Sequence, residues 1–122
     1  MVTVKRIIRY LKYTPSIGLC YPKGARFQLV GYSDSDYAGC KIDRKSTSGG
    51  CHLLGRSLVS WTSKKLSSVA LSNAEVEYIA TGACCAQILY MKQTLLDYGV
   101  VLERVPLLCD DESTEKLANN TV

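Results

Sequence analysis

The 122-residue chain lacks several features that would place it in a special class of protein. None of its six cysteines forms a C-x-x-C pair and His52 is the only histidine, which argues against a structural zinc site. No apolar run reaches the roughly 18–20 residues that span a bilayer, and the basic N-terminal segment lacks the pattern of a secretory signal. We therefore expect one globular domain with reduced cysteines, without a membrane partner, in the cytoplasm or nucleus.

Acidic residues are missing from positions 1–33, which hold six basic residues, although the formal net charge of the whole chain is only +4. A second basic stretch covers residues 41–65, with Asp43 as its one acid. The other acids gather mainly at 34–36, 75–77 and 110–115. Separate basic and acidic clusters fit a polyanion-binding surface around a metal-binding centre. The alternative explanation is a solvated surface whose charge is uneven.

The spacing of apolar residues predicts the order helix, three strands, helix, strand, helix, which is typical of the α/β class. A three-residue link that contains Gly55 predicts a hairpin between the second and third strands. The predicted helices cover residues 3–13, 73–98 and 112–118, and the predicted strands cover residues 26–33, 49–54, 58–63 and 105–109.

Three acids occupy positions from which they could form one site. Asp34 and Asp110 each follow a predicted strand, and Glu77 lies in the first turns of the long helix. In α/β folds, sites gather at the carboxyl ends of neighbouring strands, and clustered carboxylates repel one another unless a cation neutralises them. Oxygen ligands favour Mg²⁺ or Mn²⁺. The structural alternatives are a turn residue for Asp34, a helix cap for Asp110 and a helix-surface acid for Glu77.

Several ordered motifs along the chain resemble the ribonuclease H region of copia-type retrotransposon Pol polyproteins. They are KRIIRYLK at 5–12, GYSDSDYAGC at 31–40, DRKSTSG at 43–49, VSWTSKK at 59–65, ALSNAEVEYIA at 70–80 and LCDD at 108–111. The first of them is similar to the segment that leads out of the reverse transcriptase. The resemblance implies a connection segment over residues 1–25 and a ribonuclease H-like domain over residues 26–122. It also implies a mixed sheet, with three antiparallel strands followed by a parallel strand, and flanking helices.

The resemblance assigns the catalytic, metal-binding carboxylates to Asp34, Glu77 and Asp110. Glu77 is preferred to Glu75 because the family's glutamate stands just before a Tyr-Ile-Ala step. The implied activity is endonucleolytic cleavage of RNA in an RNA–DNA hybrid with two Mg²⁺ or Mn²⁺ ions. The remainder of the Pol polyprotein is the implied protein partner.

Basic residues of two motifs are the predicted contacts to the hybrid's phosphates, and the alternative for them is plain solubility. The predicted nucleic-acid-binding residues are Arg44, Lys45, Ser46, Lys64 and Lys65. Trp61 is predicted to belong to the core rather than to stack on bases.

The chain departs from the family pattern at its C-terminal end, where the pattern continues with another strand, another helix and a fourth aspartate. We therefore expect an incomplete domain and an incomplete two-metal site, with weak or no hybrid cleavage by the isolated chain. The alternative is a truncated, inactive retrotransposon remnant that retains nucleic-acid binding. Asp111 and Glu112 also replace an Asn-Gln pair that is usual in the family.

Overall fold

The computed structural model describes residues 1–24 and 26–109, which form two helices and four strands. In chain order these are α1 (Val2–Tyr13), β1 (Leu29–Asp36), β2 (Thr47–Leu54), β3 (Ser57–Lys65), α2 (Asn73–Asp97) and β4 (Leu107–Cys109). The predicted order of elements is confirmed up to β4. The helix predicted at 112–118 lies outside the described residues.

The four strands form one mixed sheet in the order β3-β2-β1-β4. β1 pairs antiparallel with β2, β2 pairs antiparallel with β3, and β4 runs parallel to β1. This arrangement confirms the predicted α/β class and is consistent with a ribonuclease H-like fold. The predicted hairpin is confirmed, and Gly55 begins its turn with a φ of +65°, a left-handed conformation that glycine adopts without steric cost.

The prediction that the first strand ends before Asp34 is wrong. β1 begins at Leu29 and continues to Asp36, so Asp34 lies within the strand, opposite Gly49. Pairing with β2 extends the strand through polar residues, because ladder hydrogen bonds do not depend on apolar side chains. For the same reason β3 continues to Lys65.

α2 packs on one face of the sheet and builds the core there. The buried cluster consists of Leu29, Cys84, Ile88, Val105 and Leu107. Gly31 allows this close approach, since a Cβ at that position would lie 2.7 Å from Ile88 Cδ1 and 3.2 Å from Cys84 Sγ. The apolar stripe predicted along the long helix is confirmed in part: Val76, Ala80, Cys84 and Ile88 are buried, whereas Ile79 and Ala83, which were predicted to belong to it, are exposed.

The other face of the sheet, which we call the open face, is not covered by any helix or strand of the described chain. Because side chains alternate along a strand, Tyr32 points away from the α2 side that Gly31 and Ser33 face. Tyr32 pairs with Cys51, and Cys51 pairs with Trp61. Trp61 is therefore on the open face and 63% exposed, so its predicted place in the core is wrong.

α1 carries no buried residue, and within the described chain no strand or other helix packs against it. The connector that follows is fastened to the hairpin: Tyr21 Oη donates to the Leu58 carbonyl at 2.8 Å, and Ser57 Oγ donates to the Cys20 carbonyl at 2.9 Å. All six cysteines are free thiols. Neither described helix has the length and apolarity to cross a membrane.

Candidate functional site

The ends of β1 and β4 meet at one edge of the sheet, which we call the carboxyl edge, because the two strands run parallel. The start of α2 approaches the same edge. Thr81 Oγ1 lies 3.7 Å from the sulfur of Cys109, the last residue of β4. Glu77 is four residues before Thr81, so it lies one helical turn further toward the carboxyl edge.

Asp34 is exposed on the open face near the carboxyl edge. Its Oδ1 accepts a hydrogen bond from the Ser35 backbone N–H at 2.8 Å. Asp34 lines an open groove of about 520 Å³, whose other walls are Tyr32, Ser33, Gly49, Gly50, Cys51, Leu108 and Cys109. The groove therefore leaves room beside Asp34 for an ion or a phosphate.

Glu75 and Glu77 have different roles at the start of α2. Ser72 Oγ accepts from the Glu75 backbone N–H at 3.2 Å, and Glu75 Oε2 accepts from the Leu71 backbone N–H at 2.7 Å. The first bond is the N-cap of α2, and the Glu75 carboxylate reaches back to Leu71, the residue before the cap, so both bonds stabilise the first turn of the helix. Glu77 is half-buried, and its Oε1 accepts from Asn73 Nδ2 at 2.6 Å. The helix start thus uses the carboxylate of Glu75, whereas the side chain of Asn73 holds that of Glu77.

Among the described residues, Asp34 and Glu77 lie near the same edge of the sheet but on opposite faces of it. Asp34 belongs to the open face, whereas Glu77 belongs to the helix on the opposite face. Asp110 lies outside the described residues. Within residues 1–24 and 26–109, no three His, Cys, Asp or Glu side chains form a group able to hold a metal ion. The three-carboxylate site therefore stays a prediction.

The predicted nucleic-acid-binding residues come from the loop before β2 and from the end of β3. Lys65 Nζ lies 2.7 Å from Asp43 Oδ2 and donates to Cys40 Sγ at 3.3 Å, which joins the two segments. The hydrogen bond from Lys65 holds the pKa of Asp43 well below its usual range, and the same contact raises the pKa of Lys65. Arg44, Lys45 and Lys64 thus lie at the same edge as Lys65.

Ser46 differs from its four basic neighbours because its side chain is fully buried. Its hydroxyl accepts from the Ala38 backbone N–H at 2.9 Å, and its carbonyl accepts from the Leu66 N–H at 2.9 Å. These bonds fasten the loop to the end of β3. Ser46 therefore supports the basic loop and does not reach the surface where a phosphate would lie.

The groove walls Tyr32, Gly49 and Cys51 did not emerge from the sequence as site residues. The sequence did indicate one of these residues: Tyr32 is two residues from Asp34, and side chains two apart on a strand share a face. The contribution of β2 depends on the register Tyr32–Cys51 and Asp34–Gly49. Register is set by pairing across the sheet, and no local pattern in β1 encodes it.

Comparison with known proteins finds similarity to segments of transposon polyproteins. The chain is 38% identical over 120 residues to the retrovirus-related Pol polyprotein from transposon RE1 of Arabidopsis thaliana, an alignment that covers 98% of this chain and 8% of the polyprotein. It is 35% identical over 119 residues to the Pol polyprotein from transposon TNT 1-94 of Nicotiana tabacum, covering 98% of this chain and 9% of that protein.

A different kind of relative is the secreted RxLR effector protein 161 of Plasmopara viticola, 48% identical over 77 residues, which are 63% of this chain and 54% of the effector. No family model matches the chain. No solved structure matches it. The chain thus has homologues in retrovirus-related Pol polyproteins and spans less than a tenth of the length of the two compared above.

Proposed function

We propose that this chain is part of the ribonuclease H domain of a retrotransposon Pol polyprotein, a domain that hydrolyses the RNA strand of RNA–DNA hybrids with Mg²⁺ or Mn²⁺. The observation that carries the proposal is the similarity of nearly the whole chain to retrovirus-related Pol polyproteins. The mixed sheet, with its exposed Asp34 near the carboxyl edge, supports it.

Asp34, Glu77 and Asp110 are the proposed ligands of the divalent ions. Their carboxylate oxygens are the donors that Mg²⁺ and Mn²⁺ prefer. Bound in pairs, such ions activate water and stabilise the leaving oxygen of a phosphodiester. The groove beside Asp34 gives the scissile phosphate access to that carboxylate. The hydrogen bond from Asn73 orients the carboxylate of Glu77.

Arg44, Lys45, Lys64 and Lys65 are the proposed contacts to the phosphates of the hybrid. They lie at the edge of the sheet where β1 ends, because Asp36 pairs with Thr47 and Thr47 pairs with Lys65. Contacts of this kind provide affinity without reading the base sequence. The 2′-hydroxyl groups and the shape of the duplex would distinguish the RNA strand.

The decisive experiment measures cleavage of a labelled RNA–DNA hybrid by two proteins, with and without Mg²⁺. One is this chain, and the other is this chain extended with the segment that follows the matched region in the transposon RE1 Pol polyprotein. We expect weak or no cleavage by the first and magnesium-dependent cleavage by the second. Brisk cleavage by the unextended chain, abolished by Asp34→Asn, would show that no further segment is needed.

Substitutions in the extended protein then assign the carboxylates. We expect Asp34→Asn, Glu77→Gln and Asp110→Asn each to abolish cleavage, whereas Glu75→Gln keeps it because Glu75 serves the helix cap. Titration with Mn²⁺, followed by the electron paramagnetic resonance of the free ion, reports metal binding independently of activity. A folded, extended protein that does not cleave, or that cleaves equally well with Asn at position 34, would refute the proposal.

A second candidate is nucleic-acid binding without cleavage, by an inactive remnant of such an element. The four basic side chains at one edge of the sheet favour it, since phosphate binding does not require the carboxylates. It predicts duplex binding that weakens steeply with salt and does not change on adding Mg²⁺. Fluorescence anisotropy of a labelled hybrid at several salt concentrations separates this candidate from a working nuclease.

A further inference from the structure

Three of the rows of side chains that run straight across the open face lie between Trp61 and the carboxyl edge. The strand registers place Trp61, Cys51 and Tyr32 in one row, Ser63, Gly49 and Asp34 in the next, and Lys65, Thr47 and Asp36 in the third. In each row the first residue is on β3, the second on β2 and the third on β1.

We propose that a second copy of this chain docks on the open face, related by a two-fold axis that runs along β2. Rotation about this axis lays β3 of each copy over β1 of its partner and β2 over β2. The strands of the two sheets then lie nearly aligned, as in ordinary face-to-face sheet packing about 10 Å apart. The proposal does not depend on ribonuclease H activity.

The two-fold rotation places complementary side chains of the two copies opposite each other in these rows. Trp61 meets the partner's Tyr32, and both rings are partly exposed in the monomer, at 63% and 38%. Aromatic pairs of this kind contribute to association beyond their buried area. At the other end of the face, Lys65 meets the partner's Asp36, and each interface contains every such pair twice.

The middle row and the residues on the axis also suit close packing. Ser63 meets the partner's Asp34, so a hydroxyl donor lies opposite a carboxylate acceptor. On the axis itself stand Thr47, Gly49 and Cys51, which are small and present little bulk between the sheets. Lys65 keeps 47% of its side chain exposed beside Asp43, so it can also reach a partner's carboxylate.

The size of the face sets the expected strength of this dimer. Three strands about 4.8 Å apart and eight residues long, at about 3.3 Å per residue, cover roughly 14 by 26 Å. This is smaller than a standard interface, so we expect a reversible dimer that dissociates on dilution. The dimer covers the groove beside Asp34, so self-association and access to that groove exclude each other.

Sedimentation equilibrium of the full chain over a wide concentration range tests the proposal. We expect a monomer–dimer equilibrium, together with a blue shift in the fluorescence of Trp61, the only tryptophan, as concentration rises. Trp61→Lys, which places a charged amine in the aromatic row, should weaken association by about tenfold or more. The matched control Tyr90→Lys changes an aromatic residue that is 68% exposed on α2 and should leave association unchanged.

The charged row has its own pair of variants. Asp36→Lys faces the partner's Lys65 with a like charge and should weaken the dimer, most strongly at low salt. The control Glu103→Lys makes the same charge change in the exposed loop before β4 and should leave the dimer unchanged. Circular dichroism confirms that each variant is folded.

Cross-linking tests the position of the axis without relying on destabilising variants. In a Cys20→Ser, Cys40→Ser background, a short bis-maleimide should join two copies through Cys51, identified by mass spectrometry of the linked peptide. A chain that stays monomeric at every concentration, or that forms only larger aggregates, overturns the proposal. So does a dimer that Trp61→Lys leaves intact, that Ile8→Lys on α1 disrupts, or that does not cross-link through Cys51.

Discussion

The ring of His52 and the thiol of Cys84 meet in the buried layer between β2 and α2, with Nε2 3.2 Å from Sγ and 3.3 Å from the Cys84 carbonyl oxygen. The thiol also donates to the Tyr32 carbonyl at 3.5 Å, so a neutral ring with its proton on Nε2 satisfies the Cys84 carbonyl. His52 Nδ1 has no hydrogen-bond partner among the described residues. Burial lowers the pKa of His52, and burial raises the pKa of Cys84 to about 12.

This burial predicts that the protein loses stability as the pH falls below the ordinary histidine pKa of 6.5. The unfolded chain takes up a proton on His52 near that pH, whereas the folded chain does so only at lower pH, so protonation favours unfolding. Urea unfolding at a series of pH values between about 7 and 5 measures how steeply the free energy of unfolding depends on pH. This is the range where His52 titrates in the unfolded chain. His52→Gln should flatten the slope, and an unchanged slope in that variant would contradict the explanation.

The same buried layer predicts the order in which the thiols react with an alkylating reagent. Cys20 is exposed and should be labelled first in the native protein. Cys84 is only 3% exposed with a raised pKa, so little thiolate is available at neutral pH. Peptide mass spectrometry after timed labelling gives both rates. Labelling of Cys84 at the rate of Cys20 without denaturant would mean that α2 does not stay packed with Cys84 against the sheet in solution.

Two glycine-to-alanine substitutions should change stability in opposite directions. Gly31→Ala directs a methyl group at Ile88, Cys84 and Leu107, and overpacking of this kind costs about 1–3 kcal/mol. Gly82 lies in α2 with no neighbour within 4 Å of an added Cβ, so Gly82→Ala should stabilise the protein by about 0.5–1 kcal/mol through helix propensity. Denaturant unfolding of both variants measures the difference, and a change of the same sign in both would be incompatible with this packing.

Removing the N-cap side chain of Ser72 should weaken α2 without disturbing the core. Ser72→Ala deletes the acceptor for the Glu75 N–H, and loss of such a cap typically costs about 1 kcal/mol. Ser68→Ala, in the exposed loop before the helix, is the control. Thermal unfolding followed by circular dichroism compares the two. Equal melting temperatures for Ser72→Ala and the unsubstituted chain would show that the cap contributes little.

Much of the fold could be predicted from the sequence because helices and strands impose local periods. The spacing of Val4, Ile7, Ile8 and Leu11 predicts α1, and Gly55 predicts the hairpin turn. The ends of strands were less predictable. β1 and β3 continue through polar residues because they are paired with β2, and that pairing joins residues distant in the sequence.

The sequence alone determined the order of the elements, the acids that could serve a metal site and the resemblance to transposon polyproteins, because motifs and periods are local properties of the chain. Only the tertiary structure decided that Trp61 is exposed, that Ser46 is buried, and that Asp34 and Glu77 approach one edge from opposite faces. The physical reason is that an alternating strand has two equivalent sides. Which side is covered depends on where α2 packs, and hence on contacts such as Ile88 against Gly31 that link parts of the chain far apart in sequence.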